Sequence, residues 1–319
     1  MRKPDENKIP VGISSCLLGE EVRYNGGHKH QRYCTDILSR YFAFNAFCPE
    51  VAIGMGVPRE PIRLVGSVSS PKAVGTKSRH MDVTQALLEY AEVMLPQMEP
   101  LCGFIWMKDS PSCGLFNTKV YGEDGKPPLR RAGLVAGLLR QRLPLLPMEE
   151  GGRLNDPGLR ENFIARVFLF SQWRQLMAQG ITPAALVAFH SRQKYWVMSY
   201  GQKLYRELGR MVANAGSQPI ADLAESYIQS LMDGTQSPPS RKGHVNVLYH
   251  MVGYLRETVP GSIRQDLTQS IEEYRVGQVP LAVPMKLMTH YIEHYASEYL
   301  KEQSYLDPHP FDLGLRNAL

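Results

Sequence analysis

The chain has 319 residues, enough for two domains of ordinary size. Hydrophobic residues make up 43% and charged residues 21%, a globular balance that excludes a disordered or fibrous chain. No apolar run reaches the roughly 18 residues of a membrane span, and five cysteines, an odd number in a long chain, argue against a disulfide framework.

The opening MRKPDENKIP is polar and lacks the apolar core of a secretory signal. The expected compartment is therefore the cytoplasm, where grouped thiols read as metal ligands or catalytic groups. The net charge is +5, from 19 basic against 16 acidic residues over the first 150 positions and 17 against 15 over the rest. Any nucleic-acid surface must then be a local patch, and charge alone favours a protein with no such partner.

Ile9 to Ser14 (IPVGIS) is a short apolar run entering a turn at Cys16, which predicts a strand–turn junction. Tyr41 to Phe47 predicts a second strand, ending at Cys48-Pro49. Asp82 to Met98 has apolar residues at helical spacing. Leu101 to Met107 predicts a third strand, and Leu129 to Arg142 a helix. The stretch 146–160 is rich in Gly, Pro and charge and reads as a boundary. Beyond it the pattern is helical, with helices expected from 161 and over 183–200, 203–214, 218–232, 241–257, 262–274 and 281–302. The expected fold is an α/β N-terminal domain with a short, mainly parallel sheet (1–150), then an all-α C-terminal domain (151–319).

Cys16, Cys48 and Cys113 each follow a strand candidate and sit beside Ser, Glu or Gly. Sites in open α/β sheets form beyond the carboxyl ends of strands, so the three segments are expected to converge. Their spacings, 32 and 65 positions, match no zinc ribbon or ferredoxin run. Taken singly, each cysteine could equally be a small buried hydrophobe. Cys102 lies inside an apolar strand and reads as core, whereas the role of Cys34 is open. Glu50 reads as a catalytic acid–base group or as an ion-pair partner for Arg59 or Arg63; Ser110 reads as a catalytic or turn residue. The glycines of IGMGVPR (53–59) lack the pattern of a phosphate loop. His290 and His294 have a metal-ligand spacing but no third donor in the sequence pattern. Residues 189–210 form the most basic aromatic stretch, readable as an RNA surface or as an amphipathic helix with a solvated face.

Four strings occur in order: Ser15-Cys16-Leu17-Leu18-Gly19, Arg23-Tyr24-Asn25-Gly26, Cys48-Pro49-Glu50 and Ser110-Pro111-Ser112-Cys113-Gly114. Through them residues 10–145 resemble the thiouracil desulfidase family. The second half resembles an uncharacterised domain often fused to it, through His244 to His250, Tyr274-Arg275 with Pro280-Leu281, and Leu306 to Asn317. The fused arrangement is similar to bacterial tRNA 4-thiouridine desulfidases. The resemblance implies a [4Fe-4S] cluster held by Cys16, Cys48 and Cys113, with an open iron for the substrate sulfur. It also implies catalytic roles for Glu50 and Ser110.

The expected function is non-redox removal of sulfur from 4-thiouridine in tRNA, a hydrolase-type desulfidase reaction that gives uridine and hydrosulfide. The alternatives are the same chemistry on free thiouracil or thionucleosides, and a cluster-bearing RNA-binding sensor without turnover. Expected partners are tRNA and a thiolated pyrimidine, with no membrane. Lys194, Lys203, Arg206, Arg241, Lys242 and Lys286 are the cations expected to contact RNA, and Arg130 and Arg131 are expected at the site entrance.

Overall fold

A computed structural model describes residues 8–78, 80–122 and 128–319. The chain divides into two units, Met1–Asn155 and Asp156–Leu319. In the first, the elements in chain order are β1 (Ile9–Ser14), β2 (Phe42–Phe47), α1 (Pro49–Ala52), β3 (Ile62–Gly66), β4 (Pro71–Gly75) and α2 (Thr84–Met98). They continue with β5 (Phe104–Trp106), β6 (Thr118–Tyr121), β7 (Leu129–Arg131), α3 (Leu134–Arg142) and β8 (Met148–Glu150).

β1 is almost wholly buried, as its unbroken apolar run requires of a strand covered on both faces. It lies inside a parallel sheet of order β2-β1-β5-β8. Gly12 permits that packing, because a Cβ there would lie 2.2 Å from the Phe104 ring. α2 buries Leu87, Ala91, Met94 and Met98 along one stripe. A second sheet, β4-β3-β6-β7, pairs β3 parallel to β6 and is otherwise antiparallel. Its strands are short and half-exposed, such as Thr118–Tyr121 with alternate residues buried, so no apolar run announced them.

The helix expected over 129–142 is instead β7 followed by α3. Gly133, extended at φ −59 and ψ 161, separates the two.

The second unit is helical: α4 (Pro157–Ala178), α5 (Pro183–Ser199), α6 (Gln202–Ala213), α7 (Ile220–Gly234), α8 (Arg241–Tyr254), α9 (Gly261–Arg275), α10 (Ala282–Tyr295) and α11 (Glu298–Lys301). Asp156, Thr182 and Ser240 cap α4, α5 and α8 by accepting from the backbone N–H three residues on. The helix expected over 281–302 is broken where Ala296 turns extended. The core includes Trp173, stacked on Tyr227 at 5.7 Å between ring centroids, and buried Tyr195, Tyr274 and Tyr305. Among the described residues no helix is long and apolar enough to cross a membrane.

Candidate active site

The ends of β1, β2 and β5 open into a cavity of about 750 Å³ that Cys16, Cys48, Glu50, Ser110, Ser112 and Cys113 all line. Cys16 lies in a single tight turn (Ser15–Leu17) directly after β1. Cys48 caps α1, and Glu50 sits in that helix's first turn. Cys113 lies in the loop beyond β5, whose shape is fixed by close approaches. A Cβ on Gly114 would meet Thr118 Oγ1 at 2.0 Å, and one on Gly133 would meet the carbonyl oxygens of Ser110, Pro111 and Ser112, each at 2.8 Å. The amides of Leu134, Val135 and Ala136, at the start of α3, donate to the carbonyls of Pro111 and Ser112. The loop thus satisfies the amides that a helix start leaves open. Glu150, buried at the end of β8, accepts from the amides of Leu115 and Phe116 at 2.9 and 3.2 Å.

Around Glu50 the polar groups form one chain. Arg59 donates to Oε2 through Nε and Nη2 at 3.0 and 2.8 Å. The two side chains are only 5% and 12% exposed. The glycine-rich segment 53–59 makes this possible: Gly54 and Gly56 adopt positive φ, and Arg59 Nη1 returns to the Gly56 carbonyl at 2.9 Å. Of the two partners the sequence offered Glu50, Arg59 is the one it takes. The other oxygen, Oε1, accepts from Ser112 Oγ at 2.7 Å, with Ser110 Oγ at 3.5 Å. Ser110 Oγ accepts from the Cys113 amide at 3.1 Å, and Ser112 Oγ stands 3.5 Å from Cys113 Sγ. Ser112 therefore bridges Glu50 and Cys113. It was not singled out from the sequence, although it lies inside the Ser-Pro-Ser-Cys-Gly string.

Burial pushes the Cys16 thiol up to about 11, and the nearby Cys48 adds to the shift. Burial likewise pushes Cys113 well up, with Glu50, Cys48 and Cys16 contributing, and it raises Cys48. A bound cation would offset this, because it holds coordinating thiols deprotonated. Among the described residues no three His, Cys, Asp or Glu side chains meet as closely as a single-ion site requires. Ligands of an iron–sulfur cluster sit on different irons, so three cysteines lining one cavity fit a cluster. Cys34 and Cys102 are buried elsewhere.

The cavity is ringed by cations. Arg23, Lys29, Arg63, Lys108, Lys119 and Arg130 line it, against only Glu50 and Asp109 as acids. Asp109 lies 4.0 Å from Lys108. Tyr24 and Tyr121 are exposed at 41% and 38%, each beneath a guanidinium, of Arg23 and Arg63. Arg130 stands at the cavity as expected; Arg131 instead donates to the Val68 carbonyl at 2.8 Å. This concentration of charge was not legible in a first half with a small surplus of basic residues.

Residues 11–151 match the family described as 2-thiouracil desulfurase, and residues 194–310 match a family of unknown function, DUF1722. The chain belongs to the 2-thiouracil desulfurase family. It is 31% identical over 159 residues to the uncharacterized protein YbgA of Escherichia coli, covering 50% of this chain and 94% of that one. It is 31% identical over 138 residues to the uncharacterized protein YbbK of Bacillus subtilis, covering 40% of this chain and 88% of that one. Among solved structures it is similar to a [4Fe-4S]-dependent thiouracil desulfidase, TudS, at 28% identity. The match covers 47% of this chain and 95% of that one, with a TM-score of 0.39. The five residues expected to carry desulfurase chemistry all lie within residues 11–151, the segment that matches the family.

In the helical unit the expected RNA contacts are spread over α5, α6, α8 and α10. Lys203, Arg206 and Lys242 are exposed. Lys194 is half-buried, 5.9 and 5.8 Å from the Tyr195 and Tyr299 rings. Arg241 reaches the Tyr274 carbonyl and lies over its ring. Lys286 stands 5.6 Å from the Phe311 ring. His290 and His294 lie 4.9 Å apart between ring centroids.

Proposed function

We propose that this protein removes sulfur from 4-thiouridine in tRNA, with water supplying the new carbonyl oxygen and sulfur leaving as hydrosulfide. The observation that carries the reading is the meeting of Cys16, Cys48, Cys113, Glu50 and Ser110 on one cavity, from strings as many as 97 positions apart. Cys16, Cys48 and Cys113 would hold a [4Fe-4S] cluster. When bound, the cluster supplies a soft Lewis-acidic iron matched to a thiocarbonyl sulfur.

The remaining steps fall to side chains. Arg59 fixes the Glu50 carboxylate through Oε2 and leaves Oε1 toward the serines. Oε1 takes a proton from the water that attacks the thiocarbonyl carbon. Ser110 and Ser112, 3.0 Å apart, orient Glu50 and pass its proton toward the departing sulfur. No net oxidation or reduction occurs. The ring of cations with exposed Tyr24 and Tyr121 supports a substrate that carries phosphate and a stacking base. Reaching a thiobase inside folded RNA costs a few kcal/mol of unstacking, which phosphate contacts offset.

The second reading is turnover of free thiouracil or a thionucleoside, and it rests on the family description, which names 2-thiouracil. One experiment separates the two. The cluster-reconstituted protein is incubated without oxygen with 4-thiouridine-containing tRNA or with thiouracil, and thiocarbonyl absorbance and hydrosulfide are followed together. Loss of absorbance with hydrosulfide release on tRNA supports the first reading. Turnover of thiouracil alone moves the function to small molecules, and turnover of neither leaves a sensor.

A further inference from the structure

The helical unit holds a second cavity, of about 560 Å³, lined by His190 of α5 and by Tyr205, Arg206, Gly209, Arg210 and Ala213 of α6. Arg206 and Arg210 lie one helical turn apart and are both exposed. Arg210 Nε reaches only the Arg206 carbonyl, at 3.3 Å, and neither guanidinium has an acidic partner among the described residues. Two cations left open on one wall suit an anion that both can grip.

His190 adds a directional donor. Its Nδ1 lies 3.0 Å from the hydroxyl of the fully buried Tyr227. Burial pushes that phenol well up, so it keeps its proton. Nδ1 is the partner of that hydroxyl among the described residues, and a phenol that donates to it satisfies its own buried proton. Burial and the nearby Lys194 pull His190 down to about 4, so the imidazole is neutral at pH 7. The tautomer in which Nδ1 accepts from Tyr227 carries its proton on Nε2, the ring nitrogen that Tyr227 does not use.

Gly209 carries a separate argument. A glycine inside a helix is unfavourable relative to alanine. A Cβ there would meet nothing within 4 Å, so internal packing does not require the glycine. Its effect is to keep the floor bare between two guanidiniums.

We propose that this cleft seats one unstacked nucleotide of an RNA strand. The phosphodiester lies between Arg206 and Arg210. The base lies against the Tyr205 ring and the Gly209–Ala213 floor, and His190 Nε2 donates to a base or sugar oxygen. The inference rests on the tRNA reading above and names an RNA anchor separate from the cysteine cavity.

The test uses the full-length protein and unmodified tRNA, with affinity measured by fluorescence anisotropy over a range of salt concentrations. The double variant Arg206→Ala/Arg210→Ala should bind about tenfold or more weakly and lose about two from the salt slope. Gly209→Ala should raise the melting temperature and yet weaken binding, a pair of effects that a misfolded variant cannot give. Thermal melts establish that each variant is folded. Unchanged affinity and slope in the folded double variant would overturn the cleft while leaving the tRNA reading in place. UMP binding is measured on the same variants, and its loss in the double variant with tRNA binding intact would overturn the proposal in favour of a free nucleotide. Wild-type protein that binds no tRNA yet releases hydrosulfide from thiouracil would remove the tRNA reading, and the cleft with it.

Discussion

Glu50 has its two oxygens divided between a cation and a pair of hydroxyls, and that division sets what each neighbouring residue should do when changed. Glu50→Gln keeps the shape of the side chain but turns one accepting oxygen into an NH2 donor and cannot take a proton. It should retain its iron, read by metal content and visible absorbance, and lose about 10²- to 10⁴-fold in kcat. Cys113→Ala removes a proposed ligand instead, so iron content and activity should fall together. Ser112→Ala deletes the 2.7 Å contact to Oε1. We expect kcat to drop about ten- to a hundredfold with KM little changed, because the serine positions the carboxylate and does not hold the substrate. A loss of iron equal to that of Cys113→Ala would instead make Ser112 part of the ligand scaffold. The cysteines, Glu50 and Ser110 were legible because their strings are local in sequence. Ser112 was not, because its role depends on a contact 62 positions away, made only after the chain folds back, and the choice of Arg59 over Arg63 as the partner of Glu50 was likewise left to the fold.

At the scale of elements, the loop carrying Cys113 and the start of α3 hold each other. The loop carbonyls satisfy amides of the helix, and Gly133 leaves space for them. Gly133→Ala places a Cβ against three backbone oxygens that have no flexible side chain to give way. Its cost should be about 1–3 kcal/mol of stability, read by thermal or chemical denaturation, with weaker retention of iron. By contrast, Gly209→Ala meets open space. Composition treats the two glycines alike, and only their neighbours separate them. The same limit explains the expected helix over 129–142. Leu134, Leu138 and Leu139 gave a helical spacing, but the preceding residues pair with β6, through Thr118↔Arg131 and Val120↔Leu129. A three-residue strand is too short for periodicity to announce.

The whole molecule responds to pH through polar groups buried in its helical unit. Burial pulls His244 down to about 3, and the Arg316 charge adds to this. Burial alone would push Glu161 up, but His309, 3.5 Å away, and Arg316 outweigh it and hold the carboxyl at about 2. Both groups take up protons less readily folded than unfolded. Each therefore contributes stability above its ordinary value, 6.5 for the histidine and 4.5 for the carboxylate, and loses it as pH falls toward the folded value. Helical signal in the second unit should weaken progressively below about pH 6.5, with a further loss below about 4.5. Circular dichroism against pH checks this, and stability flat from pH 7 to 4 would contradict it.

Much of the architecture follows from local physics. A buried parallel strand needs an unbroken apolar run, and Ile9–Ser14 has one. A cysteine at a turn after each of three strands lies where α/β sheets place their sites, so the sequence alone predicts convergence. The switch to helical spacing past residue 160 identified the second half as a bundle. The sequence by itself thus determined the two fold classes, carried the family likeness, and singled out the three cysteines with Glu50 and Ser110 as site candidates. Only the tertiary structure decided which arginine pairs with Glu50, that Ser112 bridges Glu50 and Cys113, and that six further cations of a nearly neutral half line one cavity. It also decided that a glycine and two arginines of α6 line a cleft. Periodicity and turn propensity act over a few residues, whereas these arrangements come from segments brought together by sheet order and close backbone approach.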